Sequence, residues 1–222
     1  MQPLEPGISY HIFNHANGFE NVFCKKDNYC YFLEKVRLYI SPIAEIYAYC
    51  LMPNHFHLVI RIRQRKVIED LIIEKNFPKV LTFGKVEGIN KISDNMLEKF
   101  LSKQFANLFS CYTQSFNKVF HRMGSLFIKN FKREPILDKQ HFLNFVIYTH
   151  RNPIHHGFRK NYDEWEFSSY NEIVEGVCDH IEVGKLLKIA CGLDSFKEIH
   201  REALEHLDTP YDLETTCIPQ LN

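Results

Sequence analysis

The chain has 222 residues and a mass of 26.4 kDa, and 45% of its residues are hydrophobic. This length fits one domain of ordinary size, with or without a small appendage, and the apolar content is enough for a packed core, which excludes a chain disordered throughout. Basic and acidic side chains balance at 27 each, so the total charge says nothing about nucleic acid.

The apolar pattern and the cysteines indicate the compartment. No stretch approaches the roughly 18 uninterrupted apolar residues of a membrane span, and residues 1–6 lack the basic and apolar regions of a signal peptide. We therefore expect a cytoplasmic protein with no membrane association. The seven cysteines are an odd number without a Cys-x-x-Cys pair, so neither a disulfide framework nor a cysteine zinc knuckle is indicated. We expect them to be small buried hydrophobes.

The first part of the chain predicts a strand, a helix and a hairpin. Residues Ile8–Phe13 are aromatic and β-branched and precede a cluster of turn formers, which favours a strand. Asp27 can cap a helix that ends before Pro42. Two β-prone runs then flank a tight Pro-Asn turn, Ala44–Met52 and His55–Arg63.

The middle of the chain contains an irregular segment and a long helix. Residues 64–94 look like an insertion with one helix over Val67–Lys75. Apolar residues then recur at three- and four-residue intervals over Leu97–Phe120, which predicts an amphipathic helix. Met123-Gly124-Ser125 ends it, and a short extended piece follows.

The last part of the chain is predicted to be helical. Asp138 can cap a helix that we expect to end at Arg151, because Pro153 disfavours helical geometry in the residue before it. Two more helices are expected, one after Ser169 and one after Asp194. The alternation of strands and helices, without the Gly-rich turns of a dinucleotide fold, favours an α+β architecture: a mainly antiparallel sheet flanked by helices.

Charge is distributed unevenly along the chain. Residues 99–133 contain no Asp or Glu, whereas acidic residues dominate from Asp194 onward. A basic stretch of this kind suits the phosphates of a single DNA strand or a stem. Its other interpretation is a solvated helix face, but the complete absence of acids favours nucleic acid. Its cations are Lys99, Lys103, Lys118, Arg122, Lys129, Lys132 and Arg133.

Two histidines on the predicted hairpin are candidate metal ligands. His55 and His57 are two residues apart on a strand, so both imidazoles project to one face with Cα atoms about 6.7 Å apart, a spacing that suits one cation. Phe56 and Leu58 then face the core on the other side. By itself this pair is weak evidence, since two histidines on a half-exposed strand are more often inert than metal-binding.

The helix after Asp138 has a polar stripe. Tyr148 and Asn152 are four residues apart, hence about 6 Å apart along one face, whereas His150 is rotated by about 200° from Tyr148. The alternative interpretation of this stripe is a solvated face with a half-buried tyrosine. We expect surface or packing roles for His150, His155 and His156.

Six segments in order along the chain together resemble a known family. They are similar to the single-tyrosine transposases of the HUH class (histidine–hydrophobic–histidine), and within it to the group associated with repetitive extragenic palindromes (REP). The resemblance covers residues 7–171. Its segments are Tyr10–His15, Tyr49–His57, Ser102–Phe105 with Phe116–Lys118, Gly124–Phe127, Tyr148–Pro153 and Trp165–Tyr170.

The resemblance implies a fold, a domain division and site residues. It implies the ferredoxin- or RRM-like HUH nuclease fold over residues 1–171, followed by an acidic helical extension at 172–222. His55 and His57 match the metal-binding histidines, and Tyr148 matches the nucleophile. Asn152 falls where many members have a glutamine as third ligand, and it supplies a similar carbonyl oxygen.

The resemblance also implies the chemistry and its partners. The implied activity is cleavage and rejoining of one DNA strand near a hairpin through a 5′-phosphotyrosine, with Mg²⁺ or Mn²⁺ as cofactor. The implied partner is single-stranded or hairpin DNA, and a monomer is favoured over a homodimer. The DNA contacts that we expect are Lys103, Lys118, Arg122, Lys129, Lys132 and Arg133.

Two other functions remain open from the sequence. One is a domesticated DNA- or RNA-binding protein that keeps the fold without turnover. The other is a metal phosphodiesterase that uses water, with Tyr148 as a structural residue. The complete set of two histidines, a tyrosine and an asparagine argues against the binding protein, and cleavage that persists in Tyr148→Phe would favour the phosphodiesterase.

Overall fold

A computed structural model describes residues 3–75 and 92–205. Part of the predicted insertion and the end of the acidic extension lie outside the described residues. The elements in chain order are β1 (Ser9–His15), α1 (Lys26–Tyr39), β2 (Ala44–Met52), β3 (His55–Ile62), α2 (Arg65–Glu74), α3 (Asp94–Val119), β4 (Lys132–Ile136), α4 (Lys139–His155), a 3₁₀ turn (Tyr162–Glu164), α5 (Tyr170–Glu175), α6 (Val183–Ile189) and α7 (Leu193–Glu205).

The four strands form one antiparallel sheet in the order β2-β3-β1-β4. The predicted hairpin is β2–β3, and β1 pairs with β3 so that His15 lies opposite His55 and Phe13 opposite His57. The short extended piece predicted after the long helix becomes β4 at the sheet edge. The predicted α+β architecture is confirmed.

One face of the sheet packs on α1 and α3. Phe56 of β3 is fully buried, with its ring centroid 5.0 Å from that of Phe32 on α1 and 6.0 Å from that of Phe127. Phe32 in turn makes an edge contact with Tyr112 of α3, with ring centroids 5.2 Å apart. Alternation along β3 therefore directs the even-numbered side chains into this layer, as predicted.

The other face of the sheet is covered by α4. The ring of Phe145 lies 4.6 Å from that of His11 on β1, and the ring of Phe142 lies 5.0 Å from that of Tyr47 on β2. The interpretation of the histidine face as half-exposed is therefore wrong: His55 is 3% exposed and His57 is fully buried. The helix that carries the polar stripe supplies this cover.

Most predicted helix boundaries differ from the observed ones. Helices α2 and α3 begin at Arg65 and Asp94, two and three residues before the predicted starts. Helix α4 continues to His155 with Pro153 inside it, because a proline this close to the end removes only its own ladder bond, and the amide of His156 donates to the carbonyl of Asn152 at 3.0 Å. Helix α1 begins one residue before Asp27, and the side chain of Asn28 accepts from the preceding backbone instead. Helix α7 begins at Leu193.

The chain after residue 171 contributes to the same packing. Phe196 and His200 of α7 are fully buried, and the ring of Phe196 lies 6.1 Å from that of His150 on α4. The division into residues 1–171 and 172–222 stays a prediction about sequence relationship. Every helix within the described residues is too short or too polar to span a bilayer.

The prediction that the cysteines are buried is correct only for Cys50 among the six cysteines of the described residues. Cys24, Cys30 and Cys191 are exposed, and Cys111 and Cys178 are half-buried. A cysteine is small enough to be tolerated on the outer side of a helix, as at Cys30 on α1, so its polarity does not determine whether it is buried.

Candidate active site

Helix α4 holds Tyr148 and Asn152 against the sheet. The carboxylate of Asp138 accepts from the amide of His141 at 2.8 Å and caps the helix, as predicted. The side-chain amide of Asn152 donates to the backbone carbonyl of Tyr148 at 3.1 Å, which fixes the orientation of the Asn152 side chain. Tyr148 is 7% exposed and Asn152 is 1% exposed, so the stripe faces inward and not toward solvent.

The two predicted histidines meet this stripe within one chain. The ring of Tyr148 lies 5.5 Å from that of His57 in an edge-on arrangement, and the rings of His55 and His57 are 5.1 Å apart. Nε2 of His55 lies 3.2 Å from Oδ1 of Asn152. All four predicted site residues therefore converge on one buried location.

Each ring nitrogen of His55 faces a side-chain amide oxygen, but a neutral imidazole has only one N–H to donate. Nδ1 of His55 lies 2.7 Å from Oδ1 of Asn54, and Nε2 lies 3.2 Å from Oδ1 of Asn152. Burial lowers the pKa of His55 to about 3, so its imidazole is neutral and has a single N–H. When Nδ1–H donates to Asn54, the lone pair of Nε2 faces the amide oxygen of Asn152, which is the arrangement of two ligands that share a cation.

The spacing and protonation of these side chains fit a divalent ion. An octahedral ion with bonds of about 2.1 Å separates adjacent ligands by about 3 Å, close to the distance between Nε2 of His55 and Oδ1 of Asn152. Burial also lowers the pKa of His57 well below its ordinary value, with a further contribution from His55, so both imidazoles are neutral as ligands must be. The distance between His55 and Asn152 and the neutral imidazoles therefore fit an ion for which His57 would be the third ligand.

Three further histidines surround the site, and sequence reasoning did not assign them to it. Nε2 of His11 lies 2.9 Å from Nδ1 of His57, the ring of His15 stacks on that of His55 at 4.7 Å, and the ring of His156 lies 5.1 Å from that of His55. The alternation of β1 was a usable signal, because His11 and His15 share one strand face. For His156 we expected a surface or packing role, and its position beside the site was not predicted.

His150 and His155 lie away from the site. Nδ1 of His150 lies 2.9 Å from Nε2 of His200, and Nε2 of His150 lies 2.7 Å from the hydroxyl of Ser169. The packing role expected for His150 is therefore correct, as is its rotation away from Tyr148. His155 is exposed on the last turn of α4.

The predicted DNA-binding cations have different environments. Lys103, Lys118, Lys129 and Lys132 are exposed. The guanidinium of Arg133 lies over the ring of Phe131 at 5.3 Å and is half-buried. A cavity of about 630 Å³ between α3 and the segment 125–133 is lined by Lys129, Phe131 and Arg133 among others.

Arg122 makes internal contacts in place of an open basic surface. Its guanidinium donates to the side chain of Asn117 and to the carbonyl of Ser125, both at 2.9 Å, and forms an ion pair with Glu20. These contacts close the turn that follows α3. Arg122 therefore differs from the exposed lysines among the predicted contacts.

Comparison with known proteins supports the fold. One solved structure, of a REP-associated tyrosine transposase bound to a REP hairpin, matches 81% of this chain and 87% of its own chain with a TM-score of 0.50 and 14% sequence identity. At this identity the similarity extends to the fold, whose four-stranded antiparallel sheet with flanking helices this chain shares. No family model and no curated protein matches the sequence.

Proposed function

We propose that this protein is a metal-dependent DNA strand transferase that cleaves and rejoins a single strand near a hairpin through Tyr148. The observation that carries the proposal is the convergence of Tyr148 with His55, His57 and Asn152, where the tyrosine ring lies 5.5 Å from that of His57. The fold that this chain shares with a transposase bound to a DNA hairpin supports the same class of substrate.

Tyr148 supplies the nucleophile. Its phenolate oxygen forms a bond to phosphorus, the 3′-oxygen of the preceding nucleotide leaves as a hydroxyl, and the 5′-phosphotyrosine keeps the bond energy for rejoining. Ionising an ordinary phenol at pH 7 costs about 4 kcal/mol, so the site must stabilise the developing charge. Mg²⁺ or Mn²⁺ held by His55, His57 and Asn152 would polarise the scissile phosphate. The chain itself holds Tyr148 in place through α4, which serves the in-line geometry that phosphoryl transfer requires.

The exposed cations provide the binding surface for the DNA. Lys129 and Lys132 lie on the segment that leads into β4, and the backbone amide of Ile128 donates to the carbonyl of His15 at 2.9 Å. This segment therefore connects the cavity to the histidine cluster, since His15 stacks on His55. A single strand bound along it would reach the active site within one monomer.

A covalent-adduct assay tests the proposal. Full-length protein is incubated with Mn²⁺ and a set of hairpin oligonucleotides with single-stranded flanks, each labelled at a phosphate near the flank so that the protein becomes labelled on cleavage. We expect an adduct with the wild type and its loss in Tyr148→Phe and His57→Ala. Tyr39→Phe, on α1, is the matched control and keeps the adduct. Absence of adduct and cleavage from the wild type across the set contradicts the proposal.

The burial of the site favours one alternative, a DNA-binding protein without turnover. Tyr148 is 7% exposed and His57 is fully buried, so a scissile phosphate reaches them only after a local opening of the site. This alternative predicts salt-sensitive DNA binding that is equal in the wild type, Tyr148→Phe and His57→Ala, with no cleavage in any of them. Cleavage that persists in Tyr148→Phe instead indicates hydrolysis by water.

A further inference from the structure

A second group of potential metal ligands lies outside the proposed active site. It consists of Glu172 on α5 and Cys178 and His180 in the connection from α5 to α6. All three side chains are half-buried. The proposed DNA chemistry uses none of them.

The distances within this group match a tetrahedral ion. Sγ of Cys178 lies 3.3 Å from Oε2 of Glu172 and 3.8 Å from Nε2 of His180, and that nitrogen lies 3.7 Å from the same carboxylate oxygen. A tetrahedral zinc ion with bonds of about 2.0–2.3 Å separates its ligands by about 3.3–3.8 Å. The three donor atoms are therefore spaced as ligands of one tetrahedral ion would be. The other nitrogen of His180, Nδ1, lies nearer to Sγ, at 3.1 Å, but it contacts Arg37.

Neighbouring side chains can orient two of these ligands. Oδ1 of Asp179 lies 3.3 Å from Nδ1 of His180, and the hydroxyl of Tyr49 on β2 donates to the carboxylate of Glu172. A carboxylate on the far nitrogen of a ligating histidine is the usual outer partner at zinc sites, because it keeps the proton on that nitrogen. Nη2 of Arg37 donates to Nδ1 of His180 at 2.7 Å in this structure, so an ion at Nε2 requires that the proton move to Nδ1 and that Arg37 turn to Asp179, which lies 3.8 Å away.

The donor types select the class of ion. A thiolate, an imidazole and a carboxylate include a soft ligand, which suits Zn²⁺ and disfavours Mg²⁺ or Mn²⁺. The charges of a thiolate and a carboxylate also balance a divalent cation. With three protein ligands, one tetrahedral position is left for a water molecule.

We propose that Glu172, Cys178 and His180 form a zinc site, separate from the proposed active site, that ties the connection between α5 and α6 to the body of the protein. The site goes beyond the proposed DNA function and does not depend on it. The ion closes the loop from Glu172 to His180, and Tyr49 and Arg37 link this loop to β2 and α1. Its expected effect is to fix the start of the helical extension against the sheet.

Cobalt provides a selective probe of this site in the full-length protein. Co²⁺ replaces Zn²⁺ in tetrahedral sites and gives a thiolate-to-cobalt charge-transfer band only where a cysteine is a ligand, so an ion at His55 and His57 does not contribute. We expect one cobalt with this band per wild-type chain, and its displacement by Zn²⁺. Cys178→Ser removes the band, whereas Cys191→Ser, at an exposed cysteine, and His57→Ala retain it.

Competition with a zinc chelator then measures the affinity. We expect His180→Ala to weaken Zn²⁺ binding by at least about 100-fold, and Asp179→Asn by about tenfold, as for other outer partners. Added Zn²⁺ should raise the melting temperature of His57→Ala but not that of the double variant His57→Ala with Cys178→Ser, in which neither group of ligands is complete.

The proposal is overturned if the wild type gives no charge-transfer band with Co²⁺, or if the band is unchanged in Cys178→Ser. Far-ultraviolet circular dichroism verifies that the variants are folded, and a Cys178→Ser chain that fails to fold is replaced by Glu172→Gln, which must lower the Zn²⁺ affinity. None of these assays measures DNA cleavage. A protein that does not cleave DNA can still have the zinc site, so the two proposals fail independently.

Discussion

At the scale of single residues, the contact between His11 and His57 determines which nitrogen of His57 can bind an ion. The two nitrogens in this contact are 2.9 Å apart, and burial lowers the pKa of His11 to about 3 and that of His57 well below its ordinary value, so both rings are neutral and one nitrogen of the contact donates to the other. If Nδ1–H of His57 donates to His11, Nε2 of His57 keeps its lone pair for a metal ion. His11 is thus a positioning residue for the proposed site, as outer partners of metal-bound histidines usually are.

Substitution of His11 should weaken metal use without removing DNA binding. We expect His11→Gln to raise the Mn²⁺ concentration needed for half-maximal cleavage by about 10- to 100-fold, because the amide does not hold the His57 ring in the same orientation. His155→Gln, on the exposed last turn of α4, is the control and leaves it unchanged. An equal loss of cleavage at all Mn²⁺ concentrations would point to a packing role for His11 instead.

At the scale of elements, the basic residues between the end of α3 and β4 have two different environments: internal contacts or solvent. Arg122 is bound to Asn117, Ser125 and Glu20, and its contacts shape the turn. Lys129 and Lys132 project into solvent. The composition of the sequence does not separate these cations, whereas the structure distinguishes the internally bound Arg122 from the exposed lysines.

The salt dependence of DNA binding distinguishes the exposed lysines from other cations. Each phosphate contact with a single strand contributes about −0.7 to the slope of log K against log salt, so Lys129→Gln combined with Lys132→Gln should reduce its magnitude by about 1.4. Binding titrations of a flanked hairpin at several salt concentrations measure this slope. Lys188→Gln, exposed on α6, serves as the control, and an unchanged slope in the double variant would exclude these lysines from the DNA interface.

At the scale of the whole molecule, buried histidines connect the helical extension to the helix that carries Tyr148. His200 of α7 contacts His150 of α4 at 2.9 Å between ring nitrogens, and its Nδ1 lies 2.7 Å from the carbonyl of Phe196. Burial lowers the pKa of His200 to about 4 and that of His150 well below its ordinary value. Folding therefore favours the neutral form of both rings.

This connection should make the protein sensitive to acid. Because the unfolded chain binds a proton near pH 6.5 and folded His200 only near pH 4, the stability present above pH 6.5 decreases as the pH falls toward 4, by on the order of 3 kcal/mol for this residue. Chemical denaturation at several pH values measures the decrease. In His200→Gln, which does not titrate, the slope over this range should be shallower than in the wild type; an equal slope would contradict the prediction.

Local periodicity let the sequence determine much of the site. Alternation along β3 places His55 and His57 on one face, and helical spacing places Tyr148 and Asn152 on one stripe, regardless of how distant segments pack. The polar stripe and the paired histidines were therefore predictable as two separate units. Their boundaries were less predictable, as the continuation of α4 past Pro153 shows, because a proline near a helix end costs one backbone bond and the amide of His156 still closes the last turn.

Only the tertiary structure decided what these units approach. The register of β1 against β3 brings His11 and His15 to the predicted histidines, and the packing of α4 on the sheet brings Tyr148 to His57. The ion pair between Arg122 and Glu20 likewise joins residues whose meeting no spacing in the chain encodes. Such contacts depend on how whole elements pack against one another, since their relative placement minimises the free energy of the entire core and not of any one segment.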